Sequence, residues 1–274
     1  MVNLFAETPT RLIAQTGLGA FAWLNNGLAI LVVALLLGVY LGWIVAALKR
    51  SPYTVVQSVV YFGSVLISRL LWRAEVPSRL PLGERQGAVI VANHRSSVDP
   101  FFVQLAARRR VHWMVAAEFG RNPIIKWLYD FTQVIPTSRS GRDTAATKRA
   151  IELSQHGSLV GMFPEGKVNT SELPLLAARP GAILVAARAG VPVLPLYIEG
   201  SPYRGTALSP FFTPARVKVH VGEPIDLSAW PGLVDDRDQL EAASLHVLTQ
   251  VALLGGHHDF QPTLAGRKWS VNAA

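Results

Sequence analysis

The longest apolar run of the chain comes early. No residue between Arg11 and Lys49 is charged, and residues 27–48 are apolar apart from glycines and Tyr40. A run of that length predicts a helix able to cross a bilayer. It is too long and begins too far from the amino terminus for a cleaved signal peptide, and Lys49-Arg50 close it. Arg69 and Arg73 follow, so the basic excess lies on the carboxyl side. This predicts a single-pass membrane protein whose remaining chain faces the cytoplasm. Residues 53–72 repeat differently. Val55/Val56, Val59/Val60, Phe62, Leu66/Ile67 and Leu70/Leu71 recur at helical spacing, while Gln57, Ser58, Ser64, Ser68 and Arg69 gather largely on the other side. The pattern predicts an amphipathic helix, either lying in the interface with Trp72 and Arg73 at headgroup level or packed on a globular domain.

Beyond residue 75 the period alternates between strand and helix. Strands are expected at 87–91, 111–116, 134–136, 158–163, 190–198 and 217–221. Between them fall helices after Pro100, at 123–129, at 144–155 with Gly157 as stop, at 182–189 and near 236–254. Pro192 and Pro195 each remove a ladder donor and so confine the strand at 190–198 to an edge or to strand termini. The alternation predicts an α/β fold: a single domain over 75–255 with a mainly parallel sheet flanked by helices. A membrane-anchoring segment, 1–74, precedes it, carrying the transmembrane and amphipathic helices, and a carboxyl-terminal tail, 256–274, follows. No internal repeat or low-complexity linker divides the domain.

Charge changes this picture by its placement. Residues 69–149 hold 14 Lys and Arg against 6 Asp and Glu, which is the whole of the formal +8. The phosphate of a substrate, anionic lipid headgroups or an acidic cosubstrate or carrier could each answer that excess, and so could a solvated helix face. Nucleic acid fits poorly, because no recognised binding motif is present. The lack of cysteine excludes disulfides, thiol catalysis and cysteine-ligated zinc. His257-His258-Asp259 lack further ligands at useful spacing, so no metal site is expected.

The chemistry is most legible at Ala92-Asn93-His94-Arg95-Ser96-Ser97-Val98-Asp99-Pro100. His94 leaves the carboxyl end of a strand, where open α/β sheets place their sites. A histidine there can take a proton from a hydroxyl at neutral pH, and a carboxylate on its other ring nitrogen would fix the tautomer. Asp99 before Pro100 also reads as an ordinary helix N-cap. Downstream, Phe163-Pro164-Glu165-Gly166-Lys167 forms a second turn at a strand end, with one carboxylate and one ammonium.

These segments resemble the glycerolipid (1-acylglycerol-3-phosphate) acyltransferases. Asn93, His94 and Asp99 match that family's Asn-His-x4-Asp motif, Phe163 to Gly166 match Phe-Pro-Glu-Gly, and Val191, Pro192 and Pro195 match a Val-Pro-x-x-Pro strand. Gln133-Val134-Ile135-Pro136-Thr137-Ser138-Arg139 is similar to a further motif that ends in Arg. The resemblance spans roughly residues 75–225. It departs at Lys167-Val168-Asn169, where the family commonly has Thr-Arg-Ser, and at Gln133, where a Gly is usual.

The resemblance implies transfer of a fatty acyl group from acyl-CoA or acyl carrier protein to a lysophospholipid hydroxyl, with 1-acylglycerol 3-phosphate giving phosphatidic acid. It implies His94 as general base and Asp99 as its orienting partner. Asn93, Arg139, Phe163, Glu165, Gly166 and Lys167 would bind substrate, Arg139 through phosphate. No cofactor, no metal and no covalent acyl-enzyme are implied. Partners would be membrane lipids, the lysophospholipid acceptor and the acyl donor. The departures leave another lysolipid or an amino-acid-derived lipid as alternative acceptor, and a catalytically silent lipid-binding or scaffolding protein as an alternative of another class.

Overall fold

The computed structural model describes residues 27–43, 45–46, 53–77, 79–118, 123–138 and 144–266. The chain divides into two compact units, Met1–Val59 and Val60–Ala274. In the first, residues 27–43 form a continuous helix whose side chains are exposed. No helix among the described residues is long and apolar enough to cross a membrane. The single-pass span expected over 27–48 is therefore not found, and residues 44, 47 and 48 lie outside the described ones.

The second unit contains the expected α/β domain. Its strands are β1 (Ala88–Ala92), β2 (Val111–Ala116), β3 (Ile135–Thr137), β4 (Leu159–Met162), β5 (Val193–Glu199) and β6 (Lys218–Val221). The helices are α1 (Val55–Leu70), whose first residues belong to the first unit, α2 (Asp99–Ala107), α3 (Pro123–Thr132), α4 (Thr144–Gln155), α5 (Gly181–Ala189) and α6 (Arg237–Leu254). One six-stranded sheet has the order β3-β2-β4-β1-β5-β6. Every pairing is parallel except β5 with β6. β1 is central and wholly buried: Val89 and Val91 pack with α4, α5 and α6, while Ala88, Ile90 and Ala92 pack with α2 and Trp72. Its unbroken run of small and β-branched residues is what burial on both faces requires.

Four expectations change. β5 is an interior strand despite Pro192 and Pro195. Pro192 precedes it, and Pro195 falls between the last β6 pair, Leu196↔Val221, and the isolated bridge Val193↔Ile225. The ladder is already broken there, and the Pro195 carbonyl still accepts from Gly222 N–H at 3.0 Å. Helix α1 is shorter than the expected 53–72 by two residues at each end, and its apolar stripe faces outward as the interfacial reading has it, not inward as packing on the domain would. Ser68 is fully buried, whereas Val60, Phe62, Leu66 and Leu70 are exposed. Trp72, expected at headgroup level, is fully buried, donating Nε1–H to the Pro210 carbonyl at 3.0 Å and meeting Phe102 edge-on. The expected tail is part of the domain as far as residue 266: Ala265 N–H bonds the Ala178 carbonyl at 2.8 Å, and Phe260 and Leu264 pack on the core.

Asn93 is the fourth change. Expected to touch substrate, it is fully buried and extends the β1–β5 ladder with its side chain. Its Nδ2 donates to the Ile198 carbonyl at 2.9 Å and its Oδ1 accepts Ile198 N–H at 2.7 Å. An amide is the side chain that offers donor and acceptor in the spacing of a peptide. Asn93→Ala orphans both Ile198 groups in the interior, which should cost about 2–6 kcal/mol at roughly 1–3 each. Thermal or urea unfolding measures this, and an unchanged midpoint would refute the ladder role.

Candidate active site

His94 stands two residues past the end of β1, at the carboxyl edge of the sheet. Its Nδ1 lies 3.0 Å from Asp99 Oδ2. A carboxylate only accepts, so the ring proton sits on Nδ1 and the basic lone pair on Nε2. Asp99 does not cap its own helix, since Val98 occupies the N-cap position. The carboxylate instead reaches back along the turn. Oδ2 also accepts Arg95 N–H and Ser96 N–H, each at 2.7 Å, and Oδ1 accepts Ser201 Oγ–H at 2.6 Å. Asp99 is fully buried, so this saturation is what allows the charge inside. Ser201 comes from the loop after β5 and has no sequence signal of its own.

The ring is also held by its faces. His94 stacks on Phe163, centroids 4.0 Å apart and 6° from parallel, and Phe163 stacks on Trp113 at 4.5 Å and 14°. Phe163 follows β4, and Trp113 lies in the neighbouring β2. Gly161, opposite Trp113 in the ladder, leaves the room: a Cβ there would lie 2.7 Å from the indole. Phe163, expected at the substrate, thus backs the imidazole.

The segment after Phe163 folds onto the His94 backbone from both sides. Glu165 Oε1 accepts His94 N–H at 2.7 Å and its Oε2 accepts Leu176 N–H at 2.8 Å. Asn169 N–H donates to the His94 carbonyl at 2.6 Å. Asn169 Oδ1 accepts from Ser171, and its Nδ2 donates to the Leu173 carbonyl at 2.8 Å. Arg95 closes the arrangement by donating to the Asn169 and Ser171 carbonyls. Glu165 was expected among the substrate ligands, but it is buried and both its oxygens serve backbone donors. Gly166 is exposed, with φ of 70°, and Lys167 is half-buried. Arg139 lies outside the described residues. Gln133 is exposed at φ of 56°, its carbonyl accepting from His112 Nδ1 at 2.9 Å. Among the described residues no group of three His, Cys, Asp or Glu could hold a metal, and His257 instead bonds the Tyr197 hydroxyl at 2.9 Å.

Burial pushes the Glu165 carboxyl up to about 7, against the downward pull of the Leu176 and His94 N–H groups and of the nearby His94 and Arg95 charges. A carboxyl that titrates at 4.5 in the free chain and near 7 in the fold holds its proton more tightly when folded. Its contribution to stability is therefore complete below the free-chain pKa and is lost as pH rises through the folded one. Glu165→Gln turns an amide NH2 toward one of two N–H donors and should be less stable throughout. Its deficit against the wild type should shrink as pH climbs from 4.5 to about 7. Melting temperatures of both proteins across that window check this, and a constant difference would exclude a titrating Glu165.

A family model described as Acyltransferase matches residues 73–199, the stretch that runs from β1 through β5 and holds His94, Asp99 and Glu165. A 1-acyl-sn-glycerol-3-phosphate acyltransferase of Bacillus subtilis is 29% identical over 143 residues, 51% of this chain and 67% of the relative. One from Limnanthes alba is 24% identical over 203 residues, 72% of each chain. The crystal structure of the 1-acyl-sn-glycerophosphate (LPA) acyltransferase PlsC from Thermotoga maritima has the same fold, with a TM-score of 0.57 at 22% identity, covering 77% of this chain and 82% of that one. The family model, these relatives and the solved structure thus all fall on the domain that carries the histidine and carboxylate, and the resemblance supports an O-acyltransferase.

Proposed function

We propose that this enzyme moves a fatty acyl group from a thioester, acyl-CoA or acyl carrier protein, to the free hydroxyl of 1-acylglycerol 3-phosphate, yielding phosphatidic acid. The observation that carries the reading is the His94 Nδ1 to Asp99 Oδ2 contact of 3.0 Å, which leaves Nε2 as a base at the carboxyl edge of the sheet. Nε2 takes the hydroxyl proton as the oxygen attacks the thioester carbonyl. The tetrahedral intermediate then collapses, its C–S bond breaks, and the imidazolium returns the proton to the departing thiolate. Asp99 stabilises the imidazolium between the two steps. No bond from acyl group to protein forms, and the chemistry calls for no metal.

Arg139, read from the sequence alone, is proposed as ligand to the acceptor phosphate, and Lys167 as a second positive group beside the base. The exposed apolar side chains of residues 28–43, among them Leu31, Leu35 and Trp43, support attachment to a membrane where the lipid acceptor resides. One observation favours another acceptor. Asn169, where the family commonly has Ser, bonds the His94 carbonyl and organises the turn to Leu173, so the departure at Lys167-Val168-Asn169 reshapes the segment beside the base.

His94→Ala should lower kcat/KM by about two to four decades, the usual worth of a general base. Asp99→Asn removes the charge that offsets the imidazolium and should be comparably severe. Circular dichroism verifies folding, and a folded His94→Ala enzyme with near-normal turnover would end this mechanism. For the acceptor, purified enzyme is given labelled acyl donors and a panel of lysolipids with and without a terminal phosphate. Arg139→Ala should cost about one to two decades in acceptor kcat/KM, the worth of a charged hydrogen bond, on the phosphate-bearing lipid only. Arg139→Lys should recover part of the loss. Equal losses on both acceptors would favour the other lysolipid class.

A further inference from the structure

The loop 200–217 between β5 and β6 leaves the same carboxyl edge of the sheet as His94 and is tied to the catalytic turn at three points. Ser201 Oγ–H reaches Asp99, Ser96 Oγ–H donates to the Pro202 carbonyl at 2.6 Å, and Ser97 Oγ–H donates to the Ala207 carbonyl at 2.6 Å. It is tied equally to the end of α1: Trp72 donates to Pro210 and meets the tilted ring of Phe211, and Ala215 N–H bonds the Leu71 carbonyl. Ser209 and Thr206 brace it internally, with Arg204 N–H on Ser209 Oγ at 2.9 Å. Such a loop has little freedom to hide a side chain. Yet Leu208 is 69% exposed and Phe212 83%, and the α1 residues Phe62, Leu66 and Leu70 are exposed as well. Residues 200–217 contain Arg204 and Arg216 and no carboxylate, and residues 60–74 contain Arg69 and Arg73 and none, with Glu75 and Glu199 flanking the two segments. Arg73, Arg204 and Arg216 are exposed. Exposed apolar side chains on a braced loop that carries two arginines and is joined to the catalytic turn match a surface that is apolar inside and anionic outside.

We propose that loop 200–217 is a membrane-docking element, in which Leu208 and Phe212 enter the acyl boundary of an anionic bilayer and Arg73, Arg204 and Arg216 lie at the level of its phosphates. The proposal rests on the reading that the acceptor is a lipid. Docking through this loop sets the height of the 94–99 turn above the bilayer, since Ser96 and Ser97 hold the two together.

The chain has no cysteine, so one introduced thiol is a unique reporter. Full-length Leu208→Cys, Phe212→Cys and, at the opposite end of the sheet, His156→Cys are labelled with an environment-sensitive fluorophore. Each is mixed with vesicles of phosphatidylcholine alone or with phosphatidylglycerol, with and without a spin-labelled lipid. Labels at 208 and 212 should be water-exposed without vesicles, and should become apolar and quenched by the lipid-borne spin on phosphatidylglycerol vesicles. The label at 156 should stay in water. Vesicle-bound protein whose 208 and 212 labels remain open to an aqueous quencher would overturn the proposal. So would labels already shielded without vesicles, which would mean that another part of the chain or a second copy covers the loop, and so would failure to bind phosphatidylglycerol vesicles. In a second measurement, Leu208→Ser/Phe212→Ser should raise the apparent KM for vesicle-borne lysophosphatidic acid about tenfold and leave kcat on a short-chain monomeric acceptor unchanged. A chain that docks but acylates no lysolipid would defeat the acceptor reading and not this one.

Discussion

Everything at the catalytic edge depends on one buried carboxylate. Asp99 is out of contact with water, and a charge in that position survives only if its lone pairs are filled. The chain fills them with two successive backbone N–H groups, a ring nitrogen and a hydroxyl. Each donor dictates something beyond itself. The N–H groups of Arg95 and Ser96 set the path of the turn, Nδ1 sets the imidazole tautomer, and Ser201 brings the loop after β5 to the site. The residue that fixes the His94 tautomer is thus also the one that sets the path of the turn.

The same economy governs the imidazole and its backbone. Asp99 fixes the ring at one edge, Phe163 at one face, and Glu165 and Asn169 at its own N–H and carbonyl. A ring held in this way keeps its geometry without substrate, and preorganisation of that kind is where acyl-transfer sites gain most of their advantage. The stack reaches Gly161 through Trp113. A missing side chain in β4 is therefore part of how the base is placed, although Gly161 touches nothing reactive.

How much of this was legible in the sequence follows from the range of each interaction. β2 and α4 have the limits read from their patterns, because β-branched alternation and the stop at Gly157 act within a few residues. The His94–Asp99 contact spans five residues of one turn and could be read likewise. What could not be read depends on partners far along the chain. Ser201, Trp113 and Leu176 meet the site only through strand register, which no local period encodes. Asn93 looked like a ligand because a buried amide extending a ladder and an exposed amide touching substrate are the same letter. Pro195 looked like an edge marker because the early end of β6 beside it is invisible until the sheet is assembled.

Helix α1 is a case of a pattern whose period was legible and whose facing was left open between lipid and domain. Its apolar and serine stripes are where periodicity puts them, and in water the apolar stripe would turn inward. The fold turns the other stripe in. Small residues such as Ser68 let the helix approach the domain closely, at the expense of a buried hydroxyl, Ser68 Oγ, without a hydrogen-bond partner. That is an unfavourable exchange in a single solvent, because it exposes Phe62, Leu66 and Leu70 and desolvates a hydroxyl together. It becomes favourable if the outer face meets lipid, where exposed apolar area carries no hydration penalty. An inverted amphipathic helix ending at the buried Trp72, which in turn anchors the loop bearing Phe212, therefore joins the solvent preference of the surface to the geometry of the base through packed side chains.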